Sequence, residues 1–518
     1  MEDAIITTKD MVLRRVAEHY PNEIAFILRA CEFADTVMKD VPRRGNGQPY
    51  STHYYSAAYM RAERGYGTPV DVATMICHDS MEDGKITYNG RSRPVRENDI
   101  IRALSNGGTT SRMAKKVAKR VEALTNFKRS KFGEDRIRTR AANFLKATEL
   151  FVKDINVIPD RLHDRYHNML TLGDKPGREK QLETSLDTLE VFCPFGKSLG
   201  MYDIATRMED IAFSFIMPRE YAATKEELDR RLRETAQTTR ELVAIYSKLL
   251  GEKGIPHSIE LGNISLYFLY QALEKNGWNS HRVHNLRVIN PIILSSDQEM
   301  CFDTTRIIKR HGNVSRGFEN DYISSPRDNF YQADHTVVHE RNTGAIYQLQ
   351  VCTYLMSQVN KYGLPAYLAL REHHPSQKNF DRVIQTKIEA IKDILMARDE
   401  NGESYNLSEH LNNEIFGNTI TVYTPDNMPI VLPRHSVPHD FAFRVSKKLG
   451  QTVDSALING MPVEGKAGLI TELQDGDCVV IRSKPSANAS PELLGQVLKK
   501  VKTESARSGI SSLMNKSA

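Results

Sequence analysis

The sequence predicts a multidomain α and α+β protein: an all-α N-terminal domain, an α+β middle domain and a small β-rich module, joined by helical or polar connections. Three observations predict it. At 518 residues the chain exceeds what one hydrophobic core organises. Apolar residues recur at three- and four-residue spacing up to about Pro218, and strand-like runs follow further on. The composition, 40% hydrophobic, 26% charged and 8% aromatic, is that of a globular chain and excludes collagen-like, mucin-like and broadly disordered polymers.

Residues 1–218 form the all-α domain, because IAFILRACEFADTVM, DVATMICHD and RTRAANFLKATELFVKDINVI each carry an apolar helical stripe. GKITYNGRSRPVREND, residues 84–99, interrupts them with Gly, Asn and Pro, and reads as a surface excursion between two helices. Residues 219–254 make a helical connector, charged on one face and closed by Gly251 and Gly254. In residues 255–397 the runs LRVINPIIL, DYISS, ADHTVVHE and AIYQLQVCTY read as strands among short helices. Residues 398–416 are polar and read as a linker.

Residues 417–484 change character. TITVYT and PIVLP pair across Pro425-Asp426-Asn427, DFAFRVSKKLG is a helix capped by Gly450, and ALINGMPV and CVVIRS complete a small mixed sheet on that helix. Residues 485–518 read as a basic amphipathic helix with a polar end, on which Lys499, Lys500 and Lys502 form a basic stripe.

Mean hydropathy is −0.46 and no apolar run approaches bilayer length, which excludes a spanning segment. The N-terminus, MEDAIITTKDMVLRRVAEHY, has no apolar core segment, so no secretory signal and a cytoplasmic location are expected. Six cysteines (Cys31, Cys77, Cys193, Cys301, Cys352, Cys478) form no C-x-x-C pair, against both a disulfide framework and a cysteine zinc site. The net charge of +5 permits local basic patches without implying nucleic acid.

The chemistry starts at His78-Asp79, in MICHDSMEDG. An imidazole beside a carboxylate after an apolar helix can hold a divalent cation, although such a dipeptide is more often helix-end structure. His53 follows a Gly-rich turn in RRGNGQPYSTHYYSAAYM. Glu82 and Asp83 lie one helical turn beyond His78, where both can face a metal. Asp164 and Asn168, at i and i+4 in LHDRYHNMLTLGD, share one helix face.

These blocks resemble the RelA/SpoT homologue family, which degrades or makes the alarmone (p)ppGpp. RRGNGQPYSTH, HDSMEDG and LHDRYHNMLTL look like its HD hydrolase domain, and LEVFCPFGKSLGMYDIATRMEDIAFSFIMPREY like the segment after it. FENDYISSPRDNFYQADHTVV resembles its nucleotidyltransferase-like synthetase domain, and TPDNMPIVLPRHSVPHDFAFRVSKKLG its β-grasp TGS domain. The four blocks stand in the family's order.

The resemblance implies that His53, His78, Asp79 and Asp164 ligate Mn²⁺, while Glu82 and Asp83 orient and deprotonate the attacking water. Arg43, Arg44, Asn168 and Thr171 would bind the substrate, cleaved at its 3′-pyrophosphate to GDP or GTP plus pyrophosphate. Three positions depart from the family's pattern: Gly45 replaces the Lys of an Arg-Lys pair, with Arg43 able to supply the cation. Tyr54 replaces a Pro, and Leu170 an Arg.

By the same resemblance the middle domain is an inactive pseudo-synthetase. Asn285 and Gln348 stand where two carboxylates would hold Mg²⁺, and an amide neither holds it nor acts as a base. Cys352 replaces an Arg, and Phe330 replaces a glycine and would crowd the nucleotide. SIELGNISLYFLYQAL has no Lys or Arg where the family's ATP-binding motif stands. Tyr331 corresponds to a guanine-stacking residue, although an aromatic in a strand is more often core.

The TGS likeness implies tRNA, the ribosome or acyl carrier protein as partner. Arg434, His435 and His439 are polar contact candidates whose commoner reading is a solvated loop. The domains that follow TGS in long members have no counterpart before Ala518. The leading expectation is a (p)ppGpp hydrolase without synthesis. A hydrolase of a related nucleotide such as (p)ppApp, motivated by Gly45 and Leu170, and a non-enzymatic regulator acting through the TGS module remain as alternatives.

Overall fold

The computed structural model describes residues 7–42, 47–62, 66–88, 90–125, 154–175, 177–280, 283, 287–311, 313–314, 319–324, 326–327, 329–340, 345–371, 378, 380–382, 384–389, 419–425, 429–462, 468–484 and 491–517. The chain divides into two compact units. One takes residues 1–128, 156–326 and 330–371; the other holds residues 372–518 with two short stretches, 129–155 and 327–329.

The first unit opens with a helical bundle: α1 (Lys9–His19), α2 (Ile24–Val37), α3 (Ser51–Arg61), α4 (Pro69–Cys77), β1 (Lys85–Tyr88), β2 (Arg91–Pro94), α5 (Glu97–Leu104), α6 (Gly108–Thr125), α7 (Val157–Leu170), α8 (Arg178–Asp187), α9 (Cys193–Ser198) and α10 (Tyr202–Ile216). Phe26, Ile27, Ala30, Ala57, Val72, Met75, Ile76, Ile100, Val117 and Val121 make one continuous core. Residues 71–77 of α4 are buried on every side, which explains its nearly uninterrupted apolar sequence. A capping box sets its start: Thr68 Oγ1 accepts from the Asp71 amide, and Asp71 accepts from the Thr68 amide, with Pro69 in the first turn.

The excursion at 84–99 is an antiparallel hairpin pairing Lys85 with Pro94 and Tyr88 with Arg91, after which Glu97 already begins α5. Gly90 supplies φ +73° at its turn.

The unit continues through α11 (Pro218–Glu234), α12 (Ala236–Glu252), β3 (His257–Asn263), α13 (Leu266–Lys275), β4 (Arg287–Ile293), α14 (Glu299–His311), β5 (Asn313–Val314), β6 (Asn320–Asp321), β7 (Asp334–His339), β8 (Ile346–Thr353), α15 (Tyr354–Tyr362) and α16 (Leu364–Leu370). The sheet order is β3-β4-β8-β7-β5, with β6 also on β7; β4 and β8 run parallel and the remaining pairs antiparallel. DYISS is not a strand beyond Asp321. The Asp321 carboxylate accepts from the Ile323 and Ser324 amides and folds the segment into a turn. This sheet domain is tied to the bundle where the Leu364 amide donates to Leu199 O at 2.9 Å. Gly363 is required there: its φ is +64°, and a Cβ would sit 2.3 Å from Leu199 O. Among the described residues no helix is long and apolar enough to cross a membrane.

The second unit contains β9 (Thr419–Tyr423), β10 (Pro429–Pro433), α17 (Pro438–Val445), α18 (Lys447–Gln451), β11 (Val453–Ile458), β12 (Met461–Pro462), β13 (Val479–Ser483), α19 (Pro491–Leu498) and α20 (Glu504–Ser517). Three expectations are corrected here. The helix DFAFRVSKKLG breaks at Ser446, whose hydroxyl caps α18 by accepting from the Leu449 amide. Gly450 lies inside α18 and is not a cap; a Cβ there would meet the Phe443 ring at 2.3 Å. The tail is two helices packed onto the module, since Val497, Val501, Ala506 and Ile510 share a core with Ala442 and Phe443.

Candidate metal centre

Three elements bring four side chains together: α3 carries His53, the turn closing α4 carries His78 and Asp79, and α7 carries Asp164. His53 Nε2 lies 3.1 Å from His78 Nε2, 3.3 Å from Asp79 Oδ2 and 3.3 Å from Asp164 Oδ1. His78 Nε2 lies 3.1 Å from Asp79 Oδ2 and 3.5 Å from Asp164 Oδ1.

The proton of His78 is committed elsewhere. Its Nδ1 is 2.7 Å from Met75 O, an acceptor, so Nδ1 carries a hydrogen, and with an ion bound the neutral ring would turn its Nε2 lone pair to that ion. Lone pairs facing one another at such distances repel unless an imidazole proton or a cation lies among them. An ion bound to nitrogen and oxygen at about 2.0–2.2 Å spaces adjacent ligands by about 3.0–3.5 Å, which matches the separations here. Two imidazoles with two carboxylates suit a divalent first-row cation.

Further residues hold these four. The Tyr50 hydroxyl donates to Asp79 Oδ2 at 2.8 Å, and the Arg161 guanidinium to Asp164 Oδ2 at 2.6 Å. Asn168 Nδ2 donates to Asp164 Oδ1 at 2.7 Å, so this side chain positions a carboxylate as well as lining the cavity described below. His167, 3% exposed, sets its Nδ1 2.7 Å from His53 Nδ1. Sequence reading misses Tyr50, Arg161 and His167. The last two stand three residues either side of Asp164 on one helix face, a usable signal; Tyr50 precedes its helix and gives none.

Burial alone would strip charge from these groups. For Asp79 it is opposed by the His78 and His53 imidazoles, and for Asp164 by Arg161 and both imidazoles, so both carboxyls sit well below the ordinary carboxylate range. Against the same burial, Asp79 and Asp164 hold His78 well above the usual imidazole range in the metal-free protein.

Deeper in the bundle, a buried ion network links the helices that carry the site. Arg61, on α3, lies 3.1 Å from Asp71 Oδ2 and donates to Asp160 Oδ1, on α7, at 2.8 Å. Arg120, on α6, also donates to Asp71. The network therefore fixes the spacing between the His53 and Asp164 helices.

Beside the centre opens a cavity of about 710 Å³, lined by Tyr50, Glu82, Asp83, Asn168 and Thr171 among others. Glu82 and Asp83 are not on a helix continuing from His78. α4 ends at Cys77, and residues 78–83 form turns closed by the Gly84 amide donating to Ser80 O at 3.0 Å. Gly84 is needed at that point, because a Cβ would lie 2.3 Å from Ser80 O. Both acids are exposed to the cavity. The Thr171 hydroxyl donates back to His167 O at 3.1 Å, closing α7. Arg43 and Arg44 lie outside the described residues.

In the middle domain Asn285 lies outside the described residues. Gln348 Nε2 is 3.1 Å from His335 Nδ1, and the Tyr331 hydroxyl 2.7 Å from His335 Nε2. Cys352 is buried, which pushes its thiol above the ordinary range. Phe330 does not crowd an open site. It holds φ +70°, and its ring turns inward, 1% exposed, to stack on Tyr367 at 5.5 Å. His439 of the second unit is likewise no solvated loop residue; it lies in α17, 4% exposed.

A His, a His-Asp pair and an Asp converging from separate helices of one bundle define an HD-type domain. Three family profiles match in succession: "HD domain" over residues 30–202, "Region found in RelA / SpoT proteins" over 265–374 and "TGS domain" over 420–483. The chain belongs to the RelA/SpoT homologue family. It is 28% identical over 510 residues to a guanosine-3′,5′-bis(diphosphate) 3′-pyrophosphohydrolase of Aquifex aeolicus, covering 97% of this chain and 66% of that one. It is 26% identical over 456 residues to the bifunctional (p)ppGpp synthase/hydrolase SpoT of Escherichia coli, covering 88% and 60%. The chain thus spans just under two thirds of the length of these relatives. A solved GTP pyrophosphokinase family protein from Streptococcus pneumoniae aligns over 35% of this chain and 96% of its own at 13% identity and a TM-score of 0.24, too low to inform the fold.

Proposed function

We propose that the helical domain is a Mn²⁺-dependent 3′-pyrophosphohydrolase of (p)ppGpp, releasing pyrophosphate and leaving GDP or GTP. One observation carries this reading: His53 and His78 set their Nε2 atoms 3.1 Å from each other and each 3.1–3.5 Å from an Asp79 and an Asp164 oxygen, next to a cavity in the size range of small-molecule sites. The named activities of the two relatives support the substrate. Those four residues would hold the ion, which when bound makes a water easier to ionise and offsets charge on the phosphoryl group.

The remaining steps belong to the protein's own groups. Glu82 or Asp83, exposed on the cavity wall, accepts the proton of the attacking water. The water oxygen bonds to the 3′-linked phosphorus, that phosphorus releases the ribose O3′, and O3′ takes up a proton. Asn168 and Thr171 contact the nucleoside, and Arg43 and Arg44 the base or phosphates. Tyr50 and Arg161 keep the two carboxylates aimed inward.

The middle domain, on this reading, makes no alarmone. An amide at Gln348 tied to His335, a buried thiol at Cys352 and an inward Phe330 leave no carboxylate at the matched positions and no open glycine turn. The TGS domain would engage tRNA, the ribosome or acyl carrier protein in the cytoplasm.

Pyrophosphate release from ppGpp with Mn²⁺, in wild type and Asp164→Asn, tests the reading, and ppApp in parallel decides base preference. Loss of turnover in the variant is expected. Equal turnover in both proteins removes Asp164 from the ligand set. Product formed from ATP and GDP refutes the absence of synthesis.

A further inference from the structure

Three lysines line the cavity beside the metal centre, and the reaction described above leaves them unused. Lys85, Lys175 and Lys180 all line it, together with Glu82, Asp83, Asn168 and Thr171. The three amines come from separate elements. Lys85 opens β1, Lys175 ends the short turn after α7, and Lys180 lies in the first turn of α8. The 84–99 hairpin thus has a place in the site: it brings one amine to the cavity lining, and residues 175 and 180 bring the other two.

Neither Lys85 nor Lys180 is ion-paired among the described residues. The cavity's acids do not balance them as partners. Glu82 and Asp83 stand next to the metal-binding turn, and Asp40 and Asp174 are the other acids of the lining. Ammonium groups supplied to one concavity by three separate elements suit a phosphate chain, whose oxygens accept from several donors and whose charge is partly desolvated there. The metal site can engage only one end of a nucleotide phosphorylated on both the 3′ and the 5′ side. The other end needs cations of its own.

We propose that Lys85, Lys175 and Lys180 form a second anion subsite, which takes the 5′-phosphates of the substrate while the metal centre takes the 3′-pyrophosphate. This rests on the hydrolase reading given above, and it makes the 5′-phosphates a determinant of recognition.

Two measurements on Lys85→Gln/Lys180→Gln, in the full chain, separate the proposal from that reading. The first compares hydrolysis of ppGpp with that of guanosine 3′-pyrophosphate, which has a 5′-hydroxyl. The double variant is expected to raise KM for ppGpp at least about tenfold, the scale of lost hydrogen bonds to charged groups, and to erase the preference over the 5′-hydroxyl substrate. Equal KM changes for both substrates, or none for ppGpp, overturn the subsite. The second measures binding of GDP and guanosine by calorimetry and needs no turnover. Wild type is expected to bind GDP more tightly and the variant to bind both alike. A GDP preference that survives in the variant, or is missing from wild type, overturns the proposal even if no nucleotide is hydrolysed.

Discussion

The Nδ1 atoms of His53 and His167 lie 2.7 Å apart, so one ring must donate to the other. For His53 to turn an Nε2 lone pair to the metal site, its own Nδ1 must bear the proton and His167 Nδ1 must accept it. His167→Leu removes that acceptor at similar volume. We expect Mn²⁺ affinity to fall by about 10–100-fold, read by calorimetry. His167→Asn, whose Oδ1 replaces Nδ1, should recover most of it. Unchanged affinity in the Leu variant would mean that the contact does not orient His53.

Arg61 joins Asp71 and Asp160 in the bundle interior. Burial outweighs the nearby guanidinium groups at Asp160 and raises its carboxyl to about 6, so this acid already bears a desolvation cost. Arg61→Ala leaves two buried carboxylates to share Arg120. A loss of about 3–5 kcal/mol is expected, visible as faster amide exchange along α3 and α7. A loss below 1 kcal/mol would show that the network is dispensable.

His439 is neutral in the folded second unit, with burial lowering its pKa to about 4 from an ordinary 6.5. The unfolded chain therefore binds more protons between those values. Stability is fully present above about pH 6.5 and is lost as pH falls towards 4, by up to about 3 kcal/mol. Amide exchange of α17, corrected for intrinsic rate, should report this decline. In His439→Leu the pH dependence should flatten; an unaltered slope would assign it to other groups.

Phe443 is wedged between two glycines. A Cβ on Gly509, in α20, would fall 2.1 Å from the ring, and one on Gly450 2.3 Å from it. Gly509→Ala is expected to cost about 1–3 kcal/mol through overpacking, measured by thermal unfolding. Combining it with Phe443→Leu should recover part of that loss, since the two sites are in contact. Strict additivity would count against the wedge.

Residues that bear several signals at once were the readable ones. His78 and Asp79 end a uniformly apolar helix, and Asp164 repeats with Asn168 at helical spacing, so these residues stand out, while the ligand set as a whole comes from the family resemblance. The Arg61–Asp160 pair does not: 99 positions separate the two, and local periodicity is blind to a long-range ion pair. β3 alternates in HSIELGN yet escapes notice, because it is an edge strand with Leu261 48% exposed and no hydrophobic run. Gly450 suggests a cap because glycine commonly ends helices; its actual constraint, a ring from another turn, is tertiary. Lys499, Lys500 and Lys502 form no helical stripe, because they lie in the connection between α19 and α20; the apolar face of the tail has a partner, Phe443, that cannot be inferred from spacing alone.

One carboxylate in the second unit governs how that unit can be handled. Asp440 accepts from the Val437 amide at the start of α17, and also from the amides of Lys502 and Thr503 and the Thr503 hydroxyl. Expression boundaries placed after β13 would strip three of those four donors from a fully buried anion and uncover the Phe443 face. A fragment intended for partner screening should therefore carry α19 and α20, or it will display a sticky, half-finished surface and report false binding.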